Sequence, residues 1–363
     1  MMSITFTRKK TFGLSLVELL VAITISTILL LGVSSVYLAT RKSNAVQNEF
    51  SSLQENGRFA INLMSKEIRQ AGYQGCTNLS RMTPVNNVST GGNNGPVDTN
   101  FDFTSATALV GHTGCTGGTG AGCNPATPIG TLPVITGTEA ITIRRTSSCA
   151  SELTGNMGVR NANIQLTDNS CDFQKDEAMF ITDCASGDIF RATSVSSSSG
   201  KITIAHGSNN NHTSFLSKLY GPDARVMKWE RHTYYIAPCS SGVSGCRSLW
   251  VDVDQGNSDV ATELVEYIDD MQIDYHVDTT LTGSGDPSVD AFMTAAQVQA
   301  GNLWPNVLAV RIHLLATTKD NIANQNNGKN ETPYTFMGVK KKSTDRRYRR
   351  EFTTTINLRN RTL

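Results

Sequence analysis

Apolar and polar positions along the chain fall into three regimes. From residue 13 to residue 39 the sequence GLSLVELLVAITISTILLLGVSSVYLA is apolar or small-polar, and Glu18 is its only charge. A helix over this stretch reaches roughly 39 Å, enough to cross a bilayer with some tilt. Beyond Arg41 and Lys42 the pattern changes. Val46, Phe50, Leu53, Ala60, Met64, Ile68 and Ala71 recur at helical steps and share one face, while Glu55, Arg58, Lys66 and Arg69 lie opposite. No proline interrupts residues 14–72, so the pattern predicts one helix of about 59 residues, roughly 88 Å long. Gly72 and Gly75 are natural stops for it. The apolar stripe of the second half predicts a seat for a globular domain. Gly57 interrupts that stripe, and a free coiled coil is the alternative.

The third regime is strand-like. Residues 77–137 come first, rich in Gly, Asn, Thr, Ser and Pro, and read as long loops. They hold no GxxxxGK[ST] phosphate-binding pattern. Short alternating runs follow: EAITIRRT from Glu139, EAMFITD from Glu177, DIFRATSV from Asp188 and KITIAHG from Lys201. A longer pair, RVMKWERHTYYIA from Arg225 and RSLWVDVD from Arg247, predicts a hairpin with Cys239 and Cys246 near its connection. A short helix is expected at about residues 290–300. Val307–Thr317, the most apolar run outside the first stretch, is expected as a central strand. Val310, Ile312 and Leu314 would face one side and Arg311 and His313 the other. This spacing argues for an antiparallel sheet rather than βαβ units.

Composition narrows the chemistry. The chain has 363 residues, 17% of them charged, with a formal net charge of +1, so the whole molecule is no electrostatic trap for polyanions. All eight cysteines lie beyond the apolar stretch: Cys76, Cys115, Cys123, Cys149, Cys171, Cys184, Cys239 and Cys246. An even count confined there points to disulfides in an oxidising compartment. Zinc is the alternative, but there is no CxxC pair and histidines do not cluster with the cysteines. Spacing alone leaves the pairing open, with Cys115–Cys123 and Cys239–Cys246 the shortest loops. Asp252, Asp254 and Asp259 in VDVDQGNSD offer hard oxygen ligands for calcium, against the plainer reading of an acidic turn; the EF-hand pattern fails there, and the acidic residues between 286 and 290 are read with the same caution. Near the end, seven of the eleven residues 340–350 are basic: Lys340, Lys341, Lys342, Arg346, Arg347, Arg349 and Arg350. Such a run attracts phosphate backbones, and Tyr348 and Phe352 could stack on bases; the alternative is a solvated hairpin end whose lysines protect a sheet edge. There is no GxSxG or HExxH, and the six histidines are scattered singly. The expectation is a non-enzymatic protein with no cofactor and no metal.

The start of the chain carries a resemblance. A basic leader ending in Arg8, Lys9 and Lys10 precedes Gly13, Leu14 and Glu18. This spacing resembles the type IV prepilin signal. The competing secretory signal peptide lacks Ala-x-Ala cleavage chemistry here. The resemblance implies cleavage after Gly13 by a prepilin peptidase, an N-methylated amine on Leu14, and a Glu18 carboxylate that meets the amine of a neighbouring subunit. The plainer reading of Glu18 is a carboxylate snorkelling at the interface. Major pilins usually carry a proline in mid-helix; here Gly32 is the only loosening residue. Three further blocks, LQENGRFAINLMSKEIRQAGYQGC from Leu53, ELVEYIDDMQIDYHVDT from Glu263 and the closing LRNR, resemble the PilW group of minor pilins.

The resemblance implies an α+β, type IV pilin-like fold: a long N-terminal α-helix, membrane-spanning in its first half, packed on a disulfide-containing antiparallel β-sheet domain. The expected layout is a leader at 1–13, an anchor and filament-core helix at 14–39, its amphipathic continuation at 40–72 and a β-rich domain with long loops at 73–363. The implied function is that of a minor pilin, which helps prime pilus assembly and sits in a tip complex. The implied partners are other minor pilins, the major pilin, the prepilin peptidase, the inner-membrane assembly platform and a large tip adhesin. The implied location is the inner membrane, with the N-terminus cytoplasmic, and then the pilus at the cell surface. Two alternatives stay open: a type II secretion pseudopilin of the J type, and a pilus-displayed DNA-binding or adhesive module.

Overall fold

The structure, a computed structural model, describes residues 13, 15–92, 94–116, 122–126, 133–198, 200–256, 259–278, 291–323 and 331–360. The chain divides into two compact units, residues 1–51 and residues 52–363. Helix α1, Leu16–Arg69, contributes to both.

The first unit is helical through its described length. Its apolar side chains are open to the surroundings: Leu16, Ile28, Leu31 and Val33 all keep more than half of their surface. The helix is long and apolar enough to cross a membrane. Its small polar residues do not contradict this. Thr24, Thr27, Ser35 and Thr40 donate their hydroxyls to the carbonyls of Val21, Ile23, Gly32 and Val36. Each hydroxyl is thus satisfied inside the helix, as a hydrocarbon environment demands.

In the second unit α1 stops at Arg69, short of the expected Gly72. The last amides bond three residues back, Gln70 to Glu67 and Ala71 to Ile68, which tightens the turn. Gly72 then adopts a positive φ of 74° and donates its N–H to the Arg144 carbonyl, turning the chain onto the sheet. The region expected as loops, 77–137, carries two strands, β1 (Val85–Asn86) and β2 (Leu109–His112). It also carries a core. Leu79, Met82, Val88, Phe101 and Phe103 are buried with Phe180 and Trp229. A few large side chains do the work that a periodic pattern does elsewhere.

Strands β3 (Ala140–Glu152), β4 (Ile164–Leu166), β5 (Ala178–Thr182) and β6 (Gly187–Arg191) follow. Then come β7 (Ser194–Ser198), β8 (Lys201–Ala205), β9 (Arg225–Pro238), β10 (Arg247–Asp254) and β11 (Asp259–Glu266). The run from Asp188, expected as one strand, is two. Ala192 N–H bonds to the Glu177 carbonyl and Thr193 N–H to that of Ala205, so the backbone changes sheets between them. β12 (Ile268–Val277) leads to β13 (Ala291–Met293) and helix α2 (Ala295–Ala300). The helix expected over 290–300 is therefore strand first and helix second. Thr294 and Gln297 form a reciprocal capping box that sets its start; residue 290 lies outside the described residues. β14 (Val307–Thr317), β15 (Thr332–Phe336), β16 (Val339–Ser343) and β17 (Arg349–Asn357) complete the chain.

Two main sheets result, and all but one of the strand pairings in them are antiparallel. The larger runs β1-β6-β5-β9-β10-β11, with β3 joining at β9 and β2 at β3; β1 pairs with β6 in parallel. The smaller runs β13-β12-β14-β17, with β14 in its interior as its apolar run predicts. The fold is α+β. Its principal core gathers Leu53, Ala60, Met64 and Ile68 of α1 with Met271, Ile273 and Tyr275 of β12, Val310, Ile312 and Leu314 of β14, and Ile356 of β17. A second core, drawn wholly from residues 153–226, sits around the three-stranded sheet β4-β8-β7.

Candidate functional sites

The start of α1 is built by Ser15 and Glu18. The Ser15 carbonyl accepts the first helical bond, from Leu19 N–H at 3.1 Å. Ser15 N–H donates to Glu18 Oε2 at 3.0 Å, and Ser15 Oγ accepts from Val17 N–H at 3.4 Å. Glu18, the third residue of the helix, reaches back to the cap as in a capping box, while the cap hydroxyl takes the second residue's N–H. The S-x-x-E spacing was visible in the sequence, but a reading of Glu18 as a membrane charge passes over it. Glu18 therefore satisfies a peptide donor of its own chain as well as standing four residues from Leu14. Leu14 lies outside the described residues; Gly13 lies within them.

The seat of α1 on the domain is the second element. Gly57 does not interrupt the apolar stripe but belongs to it. It is buried, and a Cβ there would overlap the Phe352 ring of β17. Asn56 Nδ2 donates to the Glu266 carbonyl at 3.2 Å. In the last turn of the helix, Glu67 enters a largely buried charge cluster. Arg145 Nη2 of β3 lies 3.5 Å from Glu67 Oε2 and 3.2 Å from Glu230 Oε2 of β9. His232 of β9 stands between the carboxylates, with Nδ1 3.6 Å from Glu67 and Nε2 3.3 Å from Glu230. Burial alone would raise the Glu67 and Glu230 carboxyls, but His232 and Arg145 overcome it and hold both below 4.5. Burial would lower His232, and the two carboxylates raise it above 6.5 instead.

The eight cysteines form four disulfides: Cys76–Cys184, Cys115–Cys123, Cys149–Cys171 and Cys239–Cys246. The two short-loop pairs are those named by spacing; the long pairs follow from the fold. Cys76–Cys184 ties the turn after α1 to the β5–β6 connection. Cys239 also lies near Glu263 and Glu266, a set whose donor atoms fall within 4.8 Å of one another. Its sulfur is already bonded to Cys246, so the set does not suit zinc.

The basic run is divided. Lys340, Lys341 and Lys342 lie exposed on β16, with Lys341 over the Phe336 ring and Lys342 3.4 Å from Glu331. The arginines are engaged. Arg346 Nε donates to the Ala323 carbonyl at 2.7 Å and Arg347 Nη1 to that of Gly245 at 3.3 Å. Arg349 grips Asp345 with two bonds of 2.8 Å and donates to Asp269 at 2.7 Å. Burial would raise the Asp345 carboxyl, but Arg349 holds it at about 2. Arg350 stacks over Phe352. On β14, His313 Nδ1 lies 2.6 Å from Glu351 Oε1 and its buried Nε2, without a hydrogen bond, stands 3.4 Å from Asp274 Oδ2, to which Arg311 Nε donates at 3.0 Å. In the calcium candidate, Asp254 pairs with Arg231 at 2.7 Å and accepts Gly256 N–H, while Asp252 is buried on β10. The Asp259 side chain and residues 286–290 lie outside the described residues.

Comparison with known families bears on both ends of the chain. Residues 233–360 match the family described as Type IV Pilus-assembly protein W, and residues 8–34 match the Prokaryotic N-terminal methylation motif. Over these spans the chain is similar to PilW-type pilins and to prepilin-type starts. The PilW match runs from within β9 to three residues beyond β17. It covers the smaller sheet entirely, and with it the Phe352 that meets Gly57. The methylation motif covers Gly13, Leu14, Glu18 and most of the apolar stretch, as far as residue 34. No curated protein and no solved structure matches the chain. The two matches and the apolar helix mark a pilin-like component of the type IV pilus, anchored in a membrane through its N-terminal helix and incorporated into the pilus.

Proposed function

We propose that the chain is a minor pilin, a structural and non-catalytic subunit that primes pilus assembly within a complex of minor pilins at the tip. The supporting observation is the pairing of a methylation-motif start with a helix end seated, through Gly57 and Phe352, on the PilW-matched sheet. In this reading a prepilin peptidase cuts between Gly13 and Leu14 on the cytoplasmic face. The apolar helix waits in the inner membrane, and the assembly platform then packs it among the helices of other pilins. Apolar burial drives that packing. The Glu18 carboxylate, freed from Ser15 or shared with it, meets the new amine of a neighbouring subunit.

Deletion of the gene tests this reading, scored for surface pili and for protein secretion. Loss of pili with intact secretion is expected; loss of secretion with intact pili would transfer the chain to the pseudopilin class. In the complemented strain, Glu18→Ala should leave the mature start at Leu14 and membrane insertion unchanged, as mass spectrometry of extracted protein reads. It should lower the amount in sheared pili several-fold. Wild-type levels of the variant in sheared pili would remove Glu18 from the assembly role.

A further inference from the structure

The two edges of β12 are covered differently. β14 pairs with one of them along the length of the strand. On the other edge, among the described residues, β13 pairs only at Tyr275, His276 and Val277. Beside Met271 and Ile273 this edge is met by Glu139, the residue just ahead of β3. Glu139 N–H donates to the Met271 carbonyl at 3.0 Å, and Glu139 Oε2 accepts the Ile273 N–H at 2.7 Å. Main chain and side chain of one residue thus stand in for a short strand. Next to them Gln272 Nε2 donates to the Gly137 carbonyl at 2.9 Å. β3 pairs with β2 and β9 of the larger sheet, so Glu139 ties that sheet to the smaller one.

The tie is made by a carboxyl in a poor place for charge. Glu139 is buried. Asp270 and Asp274 of β12 bring charge of the same sign, and the buried Tyr275 hydroxyl lies within reach of the carboxyl's field. The nearby cationic and imidazole groups are committed elsewhere. Arg311 of β14 donates to Asp274 at 3.0 Å, and His313 stands 3.4 Å from the same carboxylate. Arg247 of β10 donates to the Asp269 carbonyl at 3.0 Å, and it acts with Lys341 of β16 on Asp270. His112 of β2 lies 2.8 Å from both the Pro125 carbonyl and the Thr142 hydroxyl. Two donors favour the charged form of Glu139, the Ile273 N–H and the Thr113 hydroxyl. Burial outweighs them and, with Asp274 and Asp270, pushes the carboxyl up to about 7.

We propose that Glu139 is a proton-operated latch between the two main sheets, closed when its carboxyl is neutral and released when the carboxyl is charged. A neutral carboxyl still offers an oxygen to the Ile273 N–H and adds no third negative charge beside Asp270 and Asp274. A charged one gains by moving into water. The Met271 carbonyl and the Ile273 N–H then lose their partner and lie bare at a strand edge, where a further strand can pair. In the released state the carboxyl returns to its ordinary value of 4.5. The advantage of the closed state is therefore full below 4.5 and is lost as pH rises through about 7. Across that window the ratio of closed to released chains falls on the order of a hundredfold. The latch holds whether or not the chain is a minor pilin.

The test is hydrogen exchange of the full chain in detergent, with fragmentation in the mass spectrometer to single out the Glu139 and Ile273 amides. Protection, taken relative to the unstructured rate at each pH, should fall roughly a hundredfold from about pH 5 to about pH 8. The β14 amides that pair with β12 should not follow. Glu139→Gln is neutral at every pH and should keep its protection level throughout. Asp270→Asn removes one like charge and should move the fall to lower pH; it decides the matter if Glu139→Gln does not fold. His232→Gln should leave the fall in place, which separates the latch from the charge cluster at the helix seat. A flat wild-type profile, a fall shared equally by β14, a fall that survives Glu139→Gln, a midpoint unmoved by Asp270→Asn, or a fall abolished by His232→Gln overturns the proposal.

Discussion

The principal core and the second core differ in where their residues come from. The first spans the chain, from Leu53 in α1 to Leu358 beyond β17, and includes the whole of the PilW-matched smaller sheet. The second is drawn from residues 153–226, outside both family matches. The two meet in the larger sheet. On β9, Val226 belongs to the second core and Tyr234 and Ile236 to the first, while on β5 Met179 and Ile181 face the second core and Ala178 and Phe180 a third. The lesson is a division of labour within one folded unit. The elements of the first core hold the helix, and residues 153–226, with a core of their own and the Cys149–Cys171 bond beside it, are carried on the shared sheet.

The sharpest test of that division is Gly57→Leu. The new side chain must occupy the space of the Phe352 ring. Overpacking of this kind costs about 3 kcal/mol or more when neither neighbour can yield. We expect the helix end to lose protection from hydrogen exchange and the variant to be missing from sheared pili. Phe352→Ala in the same chain should return part of the loss. A Gly57→Leu chain as stable as wild type would show that the close approach is not needed.

Next in size is Ile204→Ala, a hole in the second core, where Ile204 is fully buried. The cost should be about 3 kcal/mol, but confined. Hydrogen exchange measured by mass spectrometry should quicken across residues 153–226 and stay unchanged over residues 52–69. Incorporation into pili should be near normal. Equal loosening of both regions would show that the cores fold as one cooperative unit and that the division fails.

The smallest effect expected is a pH dependence at the helix seat. Glu67 and Glu230 have lowered pKa values, so their contribution is present above 4.5 and is lost as pH falls through the folded values. His232 has a raised value, so its contribution is present below 6.5 and is lost as pH rises through the folded value. Protection of residues 52–69 should therefore peak between 4.5 and 6.5. His232→Gln should remove the alkaline limb and leave the acid one. A variant profile identical to wild type would take His232 out of the account.

Much of this was legible in the sequence where a pattern repeats. β14 announced itself as an unbroken apolar run, and its face assignment follows from strict alternation. The stripe from Leu53 to Ile68 was legible for the same reason. What was not legible depended on partners distant in sequence. Gly57 carries no apolar signal, and only Phe352 explains it. The arginines of residues 346–350 look like a dense polyanion site until Asp269, Asp345 and the Ala323 carbonyl are placed beside them. In residues 77–137 the buried Leu79, Met82, Val88, Phe101 and Phe103 are too irregularly spaced to show a sustained period. The Ser15–Glu18 cap was written in the sequence, but the strong membrane signal around it drew the eye to charge instead of to hydrogen bonding.

The Cys76–Cys184 bond has a mechanical consequence. Its sulfurs join residues 108 positions apart, and Cys76 follows closely on the end of the long helix. Tension entering through that helix reaches the bond before the chain between its ends can lengthen. The bridge withholds roughly 360 Å of contour from any stretch, at about 3.3 Å per residue. A load on the filament is passed by a covalent short cut to the β5–β6 connection. Residues 77–183 lie inside the bridged segment and outside this path.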